Sequence, residues 1–280
     1  SVITGTGGIV KSGLGLMDLA NAGNAYSGST NVNIGTLRVA AVGGAIPNPS
    51  AVIVNSTLDL NGNNETVGSL SGSGLVTNSA AATTINFTIG DVNSTTFSGI
   101  IQNGSGTVSV TKAGSGSLTL SGNNSYSGGT TLASGGLNIN SPTAIGTGTL
   151  TFSGGTIDNT SGSAITLSTN NALAWNNDFT FLGSNDLDLG TGAISLPSNR
   201  QVTVNAGVLT VGGAIVASTR DLTKAGAGTL SMGSNPITIN GLAINAGTFI
   251  STSGNLTLSG NFTNAGTFNN NGGTVRYTNG

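Results

Sequence analysis

Apolar and polar residues alternate in many short runs along this chain. In GSLTLSG, residues 116–122, Leu118 and Leu120 alternate with Ser and Thr, and GTLTFSG at 148–154 repeats the pattern with Leu150 and Phe152. A period of two is typical of a half-buried strand. Gly, Asn and Ser bound these runs, and no segment has the composition of a helix. The pattern predicts an all-β chain of short strands.

Phrases that begin with glycine recur at a nearly constant distance. Gly207, Gly228, Gly247 and Gly266 follow one another by 21, 19 and 19 residues. A step of about 20 residues is typical of one coil of a solenoid. The pairs Asn61-Gly62, Asn103-Gly104 and Gly272-Gly273 supply left-handed backbone for tight corners. We therefore predict a parallel β-helix (β-solenoid), right-handed and on the order of 14 coils, with apolar residues stacked inside.

The three lysines of the chain open three copies of one longer phrase. Lys11, Lys112 and Lys224 lie 101 and 112 residues apart, which divides a single continuous solenoid over residues 1–280 into super-repeats of approximately 1–101, 102–213 and 214–280, the last partial. The positions that recur are Gly13, Gly15 and Tyr26 in the first copy, Gly114, Gly116, Leu118, Leu120, Tyr126, Gly128 and Leu137 in the second, and Gly226, Gly228, Leu230, Gly247 and Phe249 in the third. We expect Lys112 to project outward at a coil edge, where a cation limits sideways strand pairing.

Composition removes several classes of partner. Only 6% of residues are charged, the formal net charge is −2, and the four arginines are far apart in sequence. Nucleic acids and anionic membranes attract clustered basic residues, so neither is expected as a partner. No apolar run has the length of a membrane helix, so no membrane insertion by this chain is expected. The absence of cysteine leaves backbone pairing between coils, rather than disulfides, to stabilise an extracellular fold.

Candidate catalytic and metal-binding residues are few. The chain has neither histidine nor cysteine, which excludes Ser-His-Asp triads, thiol nucleophiles and most transition-metal sites, and no cofactor is expected. Asp178, Asp186 and Asp188 form the densest acidic cluster and are a weak candidate for a calcium site or a carboxylate pair. Solvated side chains on an outward face are the favoured interpretation. A polysaccharide-active enzyme therefore ranks third, after the structural protein and the adhesin described below, and no enzymatic activity is expected.

The aromatic residues favour structural roles. We expect Tyr26 and Tyr126 to pack in turns of the repeat, with a glycan-binding stripe as the alternative. Trp175 is expected to anchor the core or a coil edge rather than to bind a ligand.

The second copy of the phrase carries a resemblance to a known family. Lys112, Gly114, Gly116, Leu118, Leu120, Gly122, Asn123, Tyr126, Gly128, Thr130, Gly135 and Leu137 stand in the order of the autotransporter-associated β-strand repeat, also called the passenger-associated transport repeat. The resemblance covers 9–39 and 94–139 closely, 177–250 in part and the last 30 residues loosely. It implies an exported bacterial protein, extracellular or at the cell surface, with a β-helical passenger that is often an adhesin or a surface-layer component.

Both ends of the chain continue the strand-and-glycine pattern instead of forming a polar cap. SVITGTGGIV begins the sequence and GGTVRYTNG ends it. Uncapped strand edges invite edge-to-edge addition. Either the chain is a window of a longer protein or its ends pair with other copies. Our hypothesis is a non-enzymatic structural protein of a surface filament that self-associates end to end. An adhesin that binds glycans or surfaces is the alternative.

Overall fold

The computed structural model describes residues 1–278 and confirms the predicted fold class. Within those residues every secondary-structure element is a strand, and the strands pair in parallel as a β-solenoid of about 13 turns. The chain forms two compact units, Ser1–Gly148 and Thr149–Gly280, which we describe separately. The super-repeat boundaries remain a prediction. Asn279 and Gly280, the end of the predicted last strand phrase, lie outside the described residues.

The first unit contains eighteen short strands in its described residues. They are β1 (Thr4–Gly5), β2 (Ile9–Lys11), β3 (Leu16–Leu19), β4 (Ala25–Tyr26), β5 (Thr30–Val32), β6 (Thr36–Val39), β7 (Ala51–Val54), β8 (Thr57–Asp59), β9 (Glu65–Val67), β10 (Ser69–Ser71), β11 (Leu75–Thr77), β12 (Thr84–Ile89), β13 (Thr95–Phe97), β14 (Ile100–Ile101), β15 (Thr107–Lys112), β16 (Ser117–Leu120), β17 (Thr130–Leu132) and β18 (Gly136–Ile139).

Strands of the first unit stack on three sides of the coil. One side carries β2, β5, β7 and β10 in that order, and the next carries β3, β6, β8, β11 and β14. The third side carries β9, β12, β15 and β17. A bridge between Gly72 and Phe97 continues the first side from β10 to β13, which then pairs with β16 and β18. β1 and β4 pair separately.

The second unit is more regular. Its strands are β19 (Leu150–Phe152), β20 (Thr156–Asp158), β21 (Ile165–Thr166), β22 (Leu173–Trp175), β23 (Phe179–Phe181), β24 (Leu187–Asp188), β25 (Ile194–Ser195), β26 (Arg200–Val204), β27 (Val208–Thr210), β28 (Ile215–Ala217), β29 (Leu222–Ala225), β30 (Thr229–Ser231), β31 (Ile237–Ile239), β32 (Leu242–Ile244), β33 (Thr248–Ile250), β34 (Asn255–Leu258), β35 (Phe262–Asn264), β36 (Thr267–Asn269) and β37 (Thr274–Tyr277). From β19 to β34, each strand pairs with the strand three positions later, so one coil contains three strands.

Apolar ladders fill the inside of both units. In the second unit Leu209, Leu230 and Phe249 are in register on β27, β30 and β33, and each is fully buried. Alternate residues on the same strands, such as Thr229 and Thr248, are half-buried and face outward. The predicted alternation is therefore the alternation between the core and the outer face.

Two of the three predicted corner pairs contain left-handed backbone. Asn61 and Gly62 have φ of 45° and 77°, and Gly272 has φ of 73°. Asn103 and Gly104 lack positive φ, so left-handed backbone was wrongly predicted there. Instead, Asn103 holds its turn through its side chain, because its Oδ1 accepts a hydrogen bond from Val108 N at 2.9 Å.

Candidate functional site at the repeat corners

All three lysines face into the solenoid, and the prediction that Lys112 projects outward was wrong. Lys11, Lys112 and Lys224 are 6%, 2% and 0% exposed. Lys112 lies in register between Ile89 and Leu132 of the neighbouring coils. The physical reason is strand parity: Val108, Val110 and Lys112 alternate with outward residues on β15, so the lysine occupies an inward position of an apolar ladder.

Each lysine ammonium donates hydrogen bonds to carbonyl oxygens at the corner after its strand. Lys224 Nζ reaches Ala225 O at 2.8 Å and Gly226 O at 2.7 Å in its own turn, and Ala246 O at 3.1 Å in the next coil. Charge-assisted hydrogen bonds of this kind are about twice as strong as neutral ones. The lysine therefore fastens the corners of two successive coils, and we call this arrangement the lysine corner.

The other two lysine corners in the chain have the same form. Lys112 Nζ donates to Ala113 O, to Gly114 O at 3.3 Å and, across the coils, to Ser134 O at 3.4 Å. Lys11 Nζ donates to Gly13 O and to Ile34 O of the next coil at 3.0 Å. The repeat thus places one cation in one carbonyl cage, whichever copy is considered.

A repeat glycine closes each cage. Gly135 has φ of 71°, and a Cβ there would lie 2.4 Å from Gly114 O and 2.8 Å from Lys112 Nζ. Gly35 and Gly247 have φ of 76° and 67° and are equally crowded. Only glycine combines left-handed backbone with so little space. This explains why the motif carries Gly135 and its counterparts.

Burial lowers the pKa of two of these lysines. The pKa of Lys224 falls to about 8 because the ammonium is desolvated. The pKa of Lys112 is also lowered by burial, an effect that the charge of Asp91 partly opposes. Carbonyl oxygens that accept from the ammonium favour its charged form and therefore oppose the effect of burial.

A second polar arrangement links three coils in the first two copies. Asn124 Oδ1 accepts from Ile101 N of the preceding coil at 2.7 Å, and its Nδ2 donates to Ala144 O of the following coil. Asn24 repeats this geometry with Ile3 N at 2.9 Å and Ala45 O at 3.0 Å. We call these the asparagine staples. Both asparagines are buried, and each staple supplies hydrogen-bond partners to backbone groups of the neighbouring coils.

The repeat tyrosines pack in the turn next to the asparagine staples, as predicted. Tyr126 Oη and Thr130 Oγ1 are 2.6 Å apart, and the corresponding distance from Tyr26 to Thr30 is 2.7 Å. Both rings are buried, at 0% and 3% exposure, and burial raises the pKa of each phenol. The rings therefore do not form an exposed glycan-binding stripe. In the third copy Thr238 replaces the tyrosine and faces outward on β31.

Buried carboxylates were missed by the sequence reasoning. Glu65, 2% exposed, accepts hydrogen bonds from Ala45 N at 2.8 Å, Ile46 N at 3.2 Å and Thr66 N at 3.2 Å. Burial nevertheless raises its pKa to about 7. Its place as the only glutamate of the chain, two residues from the inward Val67 on β9, was the available signal.

Asp59 and Asp158 form equivalent buried links in the two units. Asp59 Oδ1 accepts from Ser79 N at 3.0 Å, while Oδ2 accepts from Ser79 Oγ at 2.6 Å. In the second unit Asp158 accepts from Ser184 N at 2.9 Å and also from Ser184 Oγ. Each aspartate therefore accepts two hydrogen bonds from a serine of the next coil.

The candidate acidic cluster is not brought together. Asp178 accepts from Gln201 N at 2.9 Å, Asp186 from Val208 N at 2.8 Å, and Asp188 from Gly190 N at 2.8 Å. Within residues 1–278 no three carboxylates converge on a position that suits a metal ion. These aspartates organise three separate turns.

Trp175 is a core residue, as predicted. It is fully buried on β22, and its ring meets Phe179 edge-on with centroids 5.5 Å apart. Phe152 stacks on Phe179 at 3.9 Å.

Surface depressions lie beside the ladders of both units. In the first unit a cavity of about 370 Å³ is lined by Asn24, Tyr26, Ile46, Pro47 and Pro49, among others. In the second unit a polar depression of about 220 Å³, which we call the Gly241 notch, is lined by Asp221, Thr223, Asn240, Gly241, Leu242, Ala243, Asn261 and Thr263. At the notch Ala243 is smaller than Thr223 and Thr263, which are in register with it on the coils on either side.

Stacked parallel coils define the class of this protein as a β-solenoid, and the lysine corners mark three copies of one repeat within it. The family model of the passenger-associated transport repeat matches residues 9–39, 110–139 and 222–250, which are the three copies that contain the lysine corners. The chain therefore contains this repeat three times, and the resemblance is confirmed.

One relative identifies the kind of protein in which such a segment occurs. The chain is 37% identical over 139 residues to the protein named adhesin BmaC autotransporter, from Brucella suis biovar 1 (strain 1330). This match covers 48% of the chain and 4% of that protein. No solved structure matches the chain. In the described residues, no helix has the length and apolar character needed to span a membrane.

Proposed function

We propose that this chain is a non-enzymatic structural segment of a bacterial surface protein, exported as part of a passenger and located outside the cell. The observation that carries the proposal is the lysine corner, which recurs three times. In each copy the lysine ammonium donates its hydrogen bonds to carbonyl oxygens of two successive coils. The passenger repeats and the adhesin relative support the same interpretation. The chemistry of these corners serves cohesion between coils rather than turnover of a substrate.

The finer proposal is end-to-end pairing with further copies into a filament. Its support is the exposure of core ladders on the outermost strands. Met17 on β3 and Phe268 on β36 are half-buried, whereas their register partners Leu37 and Phe249 are fully buried. A further coil in parallel register would cover these side chains and pair with the outer edges of β3 and β36.

Negative-stain electron microscopy of the chain over a dilution series tests filament formation. We expect the unmodified chain to form filaments that persist on dilution. The variant Phe268→Glu should form none. Val216→Glu is the matched control, because Val216 is 86% exposed on the outward face of β28. Isolated particles at every concentration, or equal filament formation by both variants, would contradict end-to-end pairing.

A specific surface favours adhesion to glycans as a second candidate function. Asp221 is held in the Gly241 notch by Asn240 Nδ2 at 2.7 Å and Asn199 Nδ2 at 3.0 Å. A fixed carboxylate between amides and threonine hydroxyls suits the hydroxyl groups of a neutral sugar. The notch has no aromatic lining residue, so weak binding in the millimolar range, about −4 kcal/mol, is expected.

Saturation-transfer NMR with galactose, mannose and N-acetylglucosamine tests this second function. We expect transfer from at least one sugar to the unmodified chain and its loss in Ala243→Phe, which fills the notch. Ala174→Phe adds the same ring at an outward position on β22 and should leave transfer intact. Equal signals from both variants, or none from the unmodified chain, would exclude the notch.

A further inference from the structure

Two Asn-Gly turns of the chain have the same backbone but different covering. Asn61-Gly62 has φ of 45° and 77°, and Asn271-Gly272 has φ of 53° and 73°. Positive φ at both central residues defines a type I′ turn. The closing hydrogen bonds also correspond, from Asn63 N to Leu60 O at 2.9 Å and from Gly273 N to Asn270 O at 2.8 Å.

The first turn is covered by the next coil. Gly62 N donates to Asn78 Oδ1 at 2.7 Å, and a Cβ on Gly62 would lie 2.9 Å from Ala80 Cβ. The nitrogen that follows Asn61 is therefore held by a strong acceptor, and neighbouring side chains leave the turn little space to open.

The second turn has less cover within the described residues, where one long hydrogen bond, 3.5 Å from Asn271 Nδ2 to Gly233 O, joins Asn271 to another coil. Asn271 and Gly272 are exposed, and a Cβ on Gly272 would meet no atom within 4 Å. Gly272 N donates only a long hydrogen bond, 3.4 Å, to the exposed Asn270 Oδ1. The turn follows β36, the last strand of its sheet in residues 1–278, so local opening there disturbs few of the described contacts.

We propose that Asn271 is a site of spontaneous deamidation and that Asn61 is its protected counterpart. When the turn opens and Gly272 N loses its proton to solvent base, the nitrogen attacks Asn271 Cγ. A C–N bond forms, the side-chain amide leaves as ammonia, and a succinimide results. Water then opens either carbonyl of the ring to give aspartate or isoaspartate. The product places a new carboxylate on the last described coil of the second unit.

Mass spectrometry of the native protein after incubation at 37 °C and mildly alkaline pH tests the proposal. Cleavage after Lys and Arg yields separate peptides for the two turns, and fragment ions locate the conversion of amide to acid. We expect Asn271 to react at least about tenfold faster than Asn61, because one strong hydrogen bond to Gly62 N lowers the open population by roughly that factor. In urea, where both turns are unfolded, the two rates should converge.

Three results would overturn the proposal: equal rates in the native protein, a faster reaction at Asn61, or a difference that persists in urea. The variant Asn271→Gln keeps an amide at the turn and should abolish the reaction at this position. Because unfolded protein serves as the reference, protection and intrinsic reactivity are measured separately.

Discussion

The first two repeat copies share one unit, yet they lie on different sides of the coil. Lys11 ends β2 on the first side of the coil. Lys112 ends β15 on the third side, four complete coils and two strands later. Both form a lysine corner and both are followed by an asparagine staple. The repeat therefore encodes a corner and not a side of the solenoid.

The copies differ in what covers them. Lys112 has a paired strand on each side, β12 and β17, while Lys11 belongs to the outermost strand of its sheet. Gly146 packs against Tyr126, whereas Pro47 and Pro49 leave a cavity beside Tyr26. The shared motif gives corresponding hydrogen bonds in the two copies, but the stability that these bonds contribute depends on the neighbouring coils.

Removing the lysine should give the largest difference in stability between the first two copies. We expect Lys112→Ala to lower the free energy of unfolding by about 3–5 kcal/mol, because it removes a buried stem and leaves carbonyls without donors. Lys11→Ala should cost about half as much, since its site is covered on one side only. Urea unfolding followed by circular dichroism measures both values. Equal losses would contradict the role of covering coils.

The loop of the first copy should respond to pH through Glu65. Burial raises the pKa of this carboxyl from 4.5 to about 7, so the folded state retains a proton that the unfolded state has lost between these values. The free energy of unfolding should therefore fall by about 3 kcal/mol as the pH rises from 4.5 to 7. Urea midpoints across this range measure it, and Glu65→Gln should remove this part of the dependence. A stability that rises equally in both proteins would refute the assignment.

The asparagine staples should show a smaller difference of the same sign. Asn124→Ala leaves Ile101 N and Ala144 O without partners, and we expect a loss of about 2 kcal/mol. Asn24→Ala should cost less, because Asn24 lines the cavity of its copy and water can reach the freed groups. Chemical denaturation of the two variants in parallel measures both losses of stability. A greater loss for Asn24→Ala than for Asn124→Ala would contradict the prediction.

The tyrosine hydroxyls should give the smallest effect. Tyr126→Phe removes one hydrogen bond to Thr130, whose hydroxyl keeps Ile145 O as an acceptor at 3.0 Å. We expect a loss of about 1 kcal/mol, and slightly less for Tyr26→Phe. Thermal unfolding of the two variants at one protein concentration measures these losses of stability. A loss as large as that of Asn124→Ala would contradict the prediction that the tyrosine hydroxyl contributes least.

Much of the fold was predictable because strand parity and coil length are written directly in the sequence. The alternation around Leu118 and Leu120 predicted inward ladders, and the 20-residue step predicted parallel stacking. The same alternation, carried from Val108 and Val110 to Lys112, predicts an inward lysine. The rule that charges face water suggested the opposite, and it failed because corner carbonyls can replace the solvation of an ammonium.

The partners of the corner groups could not be predicted. Asn124 bonds to Ile101 and Ala144, about one coil away on either side, and those distances in sequence depend on loops of variable length. The same holds for Glu65, whose three amide donors come from its own coil and from the preceding loop. Sequence periodicity locates a residue on a side of the coil, but it does not fix which backbone groups of the next coil lie above it.

Amine acetylation of the native chain tests the inward lysine corner most directly. Treatment with an acetyl N-hydroxysuccinimide ester, followed by peptide mass spectrometry, gives the extent of modification at Ser1, Lys11, Lys112 and Lys224. We predict that the exposed Ser1 amine reacts readily while Lys112 and Lys224 remain unmodified until urea unfolds the chain. Rapid modification of Lys112 and Lys224 in the folded protein would place both amines in solvent and contradict the lysine corner.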